Sequence, residues 1–356
     1  MHIFIKNWWK EIDRFSLFGF FILLIIGIVL SFSTNDQSIF SQRHLIYSFL
    51  SIIIFLSLSF FQPKVIRRLA LLGLIVSAIS MIVILFMGYE INGAKRWLQL
   101  WWGIKLQPSE FLKPFFFVIS AWFLSKGIKG QKLSLYIVFI FFLFLTTLLI
   151  LQPDFGMTML FAITFFCQLF IAGLSLALVG LAIILLTLLF VSAYIFIGHV
   201  NVRVDTWIEQ FFEPDPYSQI SMSLNSFKSG GLFGKGPGQG VLKEKLPEAN
   251  TDFIFAVAGE EFGFIVCSII VLLFLIIVIR TLFKLLKIDN PYIIIAIVGL
   301  ICSFGLQALI NIFSSLDLIP TKGMTLPFIS YGGSSMLSTA ILVGFLLSLT
   351  KKRNNE

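Results

Sequence analysis

The sequence predicts an all-α integral membrane protein of about ten transmembrane helices, with a long outer loop between helices 7 and 8. Three observations predict it. Of 356 residues, 58% are apolar and 12% charged, whereas a soluble domain is roughly 45–50% apolar. Mean hydropathy is +0.98. Apolar runs long enough to cross about 30 Å of hydrocarbon recur along the whole chain. Residues 1–356 read as one compact bundle.

The first run, near 15–32, follows a charged segment. It exceeds the apolar core of a signal peptide, about 7–15 residues, and lacks a small-x-small cleavage site, so it reads as the first span. Further spans fall near 46–61, 68–88, 110–125, 134–151, 156–173, 176–197, 253–280, 292–315 and 328–350. The outer segment 198–251 is longer than an ordinary loop. Its Trp207, Phe211, Phe212, Tyr217, Phe227 and Phe233 argue for a packed loop with short helices. No internal repeat announces an inverted-repeat transporter.

An even number of spans puts both termini on one side. Placing them and the even-numbered connections in the cytoplasm gives that side 15 of the 26 basic residues and 4 of the 18 acidic ones, as the positive-inside rule requires. The net charge of +8 and pI of 9.4 therefore express orientation, and no nucleic-acid partner is expected. Cys167, Cys267 and Cys302 sit in apolar runs without CxxC spacing, and His2, His44 and His199 are scattered. Neither a zinc site nor a disulfide framework follows.

The outer connections hold nearly all the glycine-rich, carboxylate-bearing and tryptophan-bearing sequence, so function is expected to face outward. The leading stretch is Gly230–Gly263, where a glycine run and Pro247, Glu248 and Asp252 lead into an apolar helix. On a helix starting near Asp252, residues 256, 259 and 263 share its face and are Ala, Gly and Gly. That predicts room beneath the carboxylate, with Gly259-x-x-x-Gly263 open to close approach by a helix or ligand. Asp252 is the candidate catalytic base, with a helix N-cap as its ordinary alternative use. Glu260 and Glu261 point elsewhere on the same helix, as intramembrane carboxylates that are either functional or satisfied by other helices. The run Gly234-Lys235-Gly236-Pro237-Gly238 lacks the Ser or Thr and the preceding strand of a phosphate loop; it reads as a flexible approach to the site, and no nucleotide is expected.

Two further constellations enter spans four and ten. Glu110 and Lys113 are i,i+3 and can pair, either for structure or for substrate. Arg96 with Trp97 suits a headgroup-level anchor or a claw for a lipid phosphate. From Pro320 to Ser335 the chain carries two prolines, three glycines and several hydroxyls, which breaks the entering helix and needs protein or a polar cavity to satisfy its backbone. Lys322 is the lone cation there, and a lysine snorkelling beside a kinked helix is its alternative use.

These constellations, KLPEANTDFIFAVAGEEFG at 245–263, GAKRWL at 93–98 with QPSE at 107–110, QPDFG at 152–156 and PTKGMTLPFISYGGSS at 320–335, resemble the SEDS family of bacterial cell-wall polymerases across essentially the whole chain. The Lys-Gly-x-Thr-Leu-Pro form at 322–327 is similar to the cell-division branch (FtsW), and the GGLFGKGPGQG loop to its alphaproteobacterial type. The resemblance implies a peptidoglycan glycosyltransferase of the inner membrane at the division septum. It polymerises lipid II into undecaprenyl-linked glycan outside the membrane, without nucleotide and with metal assistance, Mg2+ or Mn2+. It implies Asp252 as the essential aspartate, and Arg96, Trp97, Glu110, Lys113 and Lys322 as family positions; Glu248 and Ser330 complete the expected substrate-binding set. Expected partners are a division-type class B penicillin-binding protein and other divisome membrane proteins. Two departures stand out: Asn250 where histidine is common, and Met222 where many members have a glutamine. The rival readings are a lipid II flippase and a non-catalytic divisome scaffold. A flippase would need polar residues through the full membrane depth, whereas here they concentrate near the outer end.

Overall fold

The computed structural model describes residues 2–351 except 35–38, 92–93, 100–104, 174–179, 181–183, 185–186, 189–190, 193, 197, 213–214 and 321–322. The helices are α1 (His2–Glu11), α2 (Arg14–Ser33), α3 (Ile39–Ser59), α4 (Pro63–Met87), α5 (Pro108–Ile128), α6 (Lys132–Leu151), α7 (Phe155–Ile171), α8 (Gly198–Phe212), α9 (Gln219–Gly230), α10 (Ile254–Leu285), α11 (Pro291–Ser315) and α12 (Gly333–Leu349). Among the described residues seven helices, α2 to α6, α10 and α11, are long and apolar enough to span a membrane, and α7 and α12 are shorter apolar helices. The span expected at 176–197 lies largely outside the described residues. Helices α4, α5 and α11 each start with proline, whose fixed φ and missing N–H suit the first turn.

Helices α2 and α10 run antiparallel, tied at both ends. Asp13, just before α2, pairs with Lys284 at 2.6 Å and Arg280 at 3.3 Å, while Ser33 at the far end of α2 bonds Glu261. A 20-residue α2 is about 30 Å long, the thickness of the hydrocarbon layer. Phenylalanines fill the interior: Phe116, Phe161, Phe142 and Phe165 stack where α5, α6 and α7 meet. Phe20, Phe304 and Phe328 join α2, α11 and the segment before α12.

Four features differ from the sequence reading. The N-terminal segment forms helix α1, whose Trp8 stacks on Phe60 and donates to Ser59. The second span starts earlier, at Ile39, because the polar Ser41 and His44 are buried instead of lying in a loop. Between α4 and α5 stands a small antiparallel sheet, β1 (Tyr89–Ile91), β2 (Ala94–Gln99) and β3 (Lys105–Leu106). Strands β1 and β2 pair through Ile91↔Ala94 and Glu90↔Lys95. The last span starts at Gly333, not 328, because Leu326–Gly332 is occupied by a tight turn with Phe328 at φ 64°.

Candidate active site

The stretch that leads the sequence reading is a broken helix plugged by its own loop. Within α10, Gly263 has φ 76° and ψ −174°, a region essentially restricted to glycine, and the helical ladder stops there. The loop after α9 supplies the missing partners. Lys235 N and Gly236 N donate to the carbonyls of Glu260 and Glu261 at 3.0 and 2.9 Å, while Phe264 N and Ile265 N donate to the carbonyls of Gly231 and Leu232 at 2.9 and 3.3 Å. Backbone groups freed by a break in a membrane helix need such replacements. A Cβ on Gly263 would lie 2.4 Å from Gly234 N, and one on Gly234 would lie 2.1 Å from the Glu261 carbonyl oxygen.

This corrects two expectations. The small-residue face below Asp252 is not open: the Phe227 ring of α9 fills it, 2.3 Å from where a Gly259 Cβ would stand. The glycine run is not a flexible approach but a fitted plug. Lys235 within it and Lys243 just after it end on the two buried glutamates. Glu260 takes Lys235 Nζ at 2.8 Å and the N–H groups of Val241, Leu242 and Lys243 at 2.9 to 3.2 Å. Glu261 takes Lys243 Nζ at 2.6 Å and the Ser33 hydroxyl, and Lys243 also donates to the Ser33 carbonyl. Both glutamates and Lys243 are buried, and a buried charge is tolerable only when so paired.

Asp252 lies in the turn that enters α10. The N-cap of α10 is Phe253, so the alternative use of Asp252 as that cap does not apply. Its position is set by its main chain. Glu248, itself at φ 57°, accepts at its carbonyl from the N–H groups of Thr251, Asp252 and Phe253 at 3.0, 3.0 and 3.2 Å; its exposed carboxylate accepts from Thr251 Oγ1 at 2.6 Å. The Asp252 carbonyl accepts from Asn311 Nδ2 at 2.9 Å, and the same amide donates to the Met324 carbonyl at 2.6 Å. The turn before α12 closes the other side, with Tyr331 N donating to the Asn250 carbonyl at 2.9 Å and Ser330 Oγ to the Thr251 carbonyl at 2.5 Å. The half-buried Asp252 carboxylate faces the segment leading into this turn: a Cβ on Gly323 would lie 3.4 Å from Oδ2. Lys322, one residue earlier, lies outside the described residues.

Glu110 and Lys113 form a buried ion pair at 2.7 Å. Lys113 also donates to Gln307 Oε1, and Gln307 Nε2 donates to the Thr325 carbonyl at 3.0 Å. A continuous chain thus runs from Glu110 through Lys113, Gln307 and the 324–325 segment to Asn311 and Asp252. Gln307 and Asn311, four residues apart on one face of α11, escape the sequence reading; with Ser303 and Ser315 they make a buried polar stripe at i, i+4 spacing that could have exposed them.

Arg96 and Trp97 sit half-buried on β2. Arg96 pairs with Asp154 at 3.6 Å and donates to the Gln152 and Pro153 carbonyls. Asp154 caps α7 at Met157 N and receives Gln107 Nε2 at 3.2 Å and Ser109 Oγ at 3.3 Å. Gln107 N in turn donates to Ser334 at the start of α12, at 3.0 Å. Asp154, quoted in the QPDFG motif without a role, is thus the anchor of Arg96. Ser330 is buried, with its hydroxyl engaged between Leu326 N and Thr251 O. Asn250 keeps a buried Oδ1 without a hydrogen bond among the described residues, and Met222 packs against the core. Among the described residues no three His, Cys, Asp or Glu side chains converge on a metal position. Asp252 offers the one or two carboxylate oxygens with which Mg2+ is commonly held when substrate phosphates complete the shell.

The profile of the cell cycle protein family of FtsW, RodA and SpoVE matches residues 8–355. A relative from Caulobacter vibrioides, "Probable peptidoglycan glycosyltransferase FtsW", is 39% identical, with 97% of this chain and 91% of the relative covered. A protein of the same description from Borreliella burgdorferi is 34% identical over 92% of this chain and 90% of its own. Two solved structures share the fold. One, described as "Structural coordination of polymerization and crosslinking by a peptidoglycan synthase complex", superposes with a TM-score of 0.79 at 23% identity, over 95% of this chain and 97% of the other. The rod shape determining protein RodA of Thermus thermophilus gives 0.72 at 24% identity, over 96% and 97%.

Proposed function

The chain belongs to the cell cycle protein family of FtsW, RodA and SpoVE, and from that membership we propose that it is a peptidoglycan glycosyltransferase that polymerises lipid II for septal wall synthesis. The names of relatives at 39% and 34% identity over nearly the whole chain support this. The observation that carries the mechanism is the fixing of Asp252 by its main chain, half-buried at the end of the bundle where the turn before α12 meets the entrance of α10.

In the reaction the 4-hydroxyl of the acceptor lipid II attacks the anomeric carbon of the donor strand. The new O4–C1 bond forms as the bond from C1 to the pyrophosphate breaks, and undecaprenyl pyrophosphate departs. Asp252 accepts the hydroxyl proton as general base. Arg96, steered by Asp154, Lys113, held by Glu110 and Gln307, and Lys322 supply positive charge for the departing pyrophosphate, while Trp97 and Glu248 contact the substrate. A Mg2+ or Mn2+ ion held by Asp252 together with the substrate phosphates would neutralise charge there.

The site faces outward and both termini lie in the cytoplasm, on the charge asymmetry of the connections. Likeness to a chain of a peptidoglycan synthase complex supports a cross-linking partner, a class B penicillin-binding protein of the division type, alongside other divisome membrane proteins. The test is polymerisation of lipid II by purified protein with that partner in detergent, where no flipping is required. Asp252→Asn is expected to fold and insert normally and to make no glycan strands; polymerisation at the wild-type rate would overturn the assignment. Complementation of growth by Asp252→Ala would favour a scaffold instead.

A further inference from the structure

At the end of the bundle opposite Asp252, two cations from different helices sit over one indole. The Arg67 guanidinium carbon, in the first turns of α4, lies 4.8 Å from the Trp122 ring centroid, and Lys126 Nζ, in the last turn of α5, lies 3.9 Å from it. These distances bound the separation of the two charges at about 9 Å, within the reach of cation–π attraction to a single ring. Among the described residues neither cation has a carboxylate within ion-pair distance. The first turn of α4 holds no acidic residue but carries Lys64, with Arg67 and Arg68 following. Basic charge is thus gathered at the positive end of a helix dipole, where an anion is favoured and cations are not.

A third donor lies close by. Tyr292, at the start of α11, has a buried hydroxyl without a hydrogen-bond partner among the described residues and lies within the field of Arg67. Helix α5 packs against both α4 and α11, so the three groups come from neighbouring elements. An indole face attracts a cation but takes up none of its N–H donors. Two cations and a hydroxyl with donors to spare, beside a tryptophan suited to headgroup depth, match a phosphodiester that accepts several charge-assisted hydrogen bonds.

We propose that Arg67, Lys126 and Trp122, with the Tyr292 hydroxyl, form a binding site for the phosphodiester of an anionic phospholipid headgroup. The site is distinct from the one at Asp252 and does not depend on the polymerase reading; only the leaflet it faces, the cytoplasmic one, rests on the orientation given above. Basic pockets between membrane helices on that side are the expected sites for such lipids.

The experiment uses the full-length chain in detergent, with thermal unfolding followed as phosphatidylglycerol, phosphatidylcholine or inorganic phosphate is added. Phosphatidylglycerol is expected to raise the melting temperature in a saturable way, phosphatidylcholine much less, and inorganic phosphate not at all at matched concentration. In Arg67→Gln/Lys126→Gln the affinity for phosphatidylglycerol is expected to fall about 30-fold, on the basis of about 1 kcal/mol per basic side chain near an anionic surface. Lys129→Gln/Lys132→Gln, which removes two charges away from the indole, is expected to retain most of it. Should the first pair fail to insert, the single substitutions decide by the same comparison, each keeping one cation on Trp122. Equal loss in the two double variants would reduce the effect to overall charge and overturn the site. An equal response to inorganic phosphate would make it a phosphate site, and the lipid assignment would fall.

Discussion

Asn311 holds Asp252 by its carbonyl oxygen, at 2.9 Å, and with the same amide nitrogen holds the Met324 carbonyl at 2.6 Å. One buried side chain on α11 therefore fixes the distance between the turn bearing the aspartate and the segment that follows Lys322. Neither contact uses the carboxylate, so the residue sets where the aspartate stands and leaves its chemistry alone. Removing the amide in Asn311→Leu is expected to lower the rate of lipid II polymerisation by about 100-fold, the scale of a misplacement of about 1 Å, with a smaller effect on the substrate concentration at half-maximal rate. Steady-state polymerisation assays on protein of verified folding check the split. A loss confined to KM would instead assign Asn311 to substrate binding.

The break in α10 gives a second expectation. Alanine at Gly263 meets both a backbone region that side chains avoid and the Gly234 nitrogen at 2.4 Å. The neighbouring contact is main chain, so no rotamer change relieves it. Gly263→Ala is expected to cost at least about 2–4 kcal/mol, the combined scale of backbone strain and overpacking, and to lower the thermal unfolding temperature markedly in detergent. Gly238→Ala, at positive φ but with nothing within 4 Å, is expected to cost about 1 kcal/mol from the backbone alone.

The sequence discloses the bundle because each span must carry about 20 apolar residues, a constraint that the seven long apolar helices each meet separately. It also marks Gly259 and Gly263 as a place of close approach, but spacing says that something comes near without saying what. The visitor is the chain's own Gly230–Gly236, some thirty residues earlier in sequence, and the pairings of Glu260 with Lys235 and Glu261 with Lys243 are equally invisible to a local pattern. Glu110 and Lys113 were legible because i,i+3 neighbours on a helix must meet. Asp154 was not, since its partner Arg96 comes from a strand 58 residues away, and only the fold brings the two together.

Lys243 is predicted to matter through what it leaves behind. Replacing it by methionine strands Glu261 as a buried charge with only the Ser33 hydroxyl, among the described residues, on its carboxylate, a situation that costs about 3–5 kcal/mol. Lys243→Met is therefore expected to unfold at much lower temperature or to be degraded in cells. Adding Glu261→Gln removes the stranded charge and is expected to recover most of the loss. A double-mutant cycle on thermal stability measures the coupling; additive losses would mean that the two side chains do not share one buried site.

At the other end of α2, Asp13 ties the helix to α10, and its protonation gives a pH dependence with a definite sign. Burial alone would raise its pKa, but hydrogen bonds from Lys284, Ser16 and Arg280 and the Lys284 charge outweigh that and hold it below the ordinary value of 3.8. The folded protein therefore releases this proton at lower pH than the unfolded chain does. The stabilisation is fully present above the unfolded pKa and is lost as pH falls through the folded one. Asp13→Asn never carries the charge, so the difference in unfolding temperature between wild type and Asp13→Asn is expected to be constant from about pH 7 to 5 and to shrink progressively below about pH 4. Other carboxylates titrate in both proteins and cancel in the comparison. Thermal unfolding of the pair in detergent across that range measures it, and a difference that persisted unchanged at pH 3 would show that the tie to Lys284 and Arg280 contributes nothing through charge.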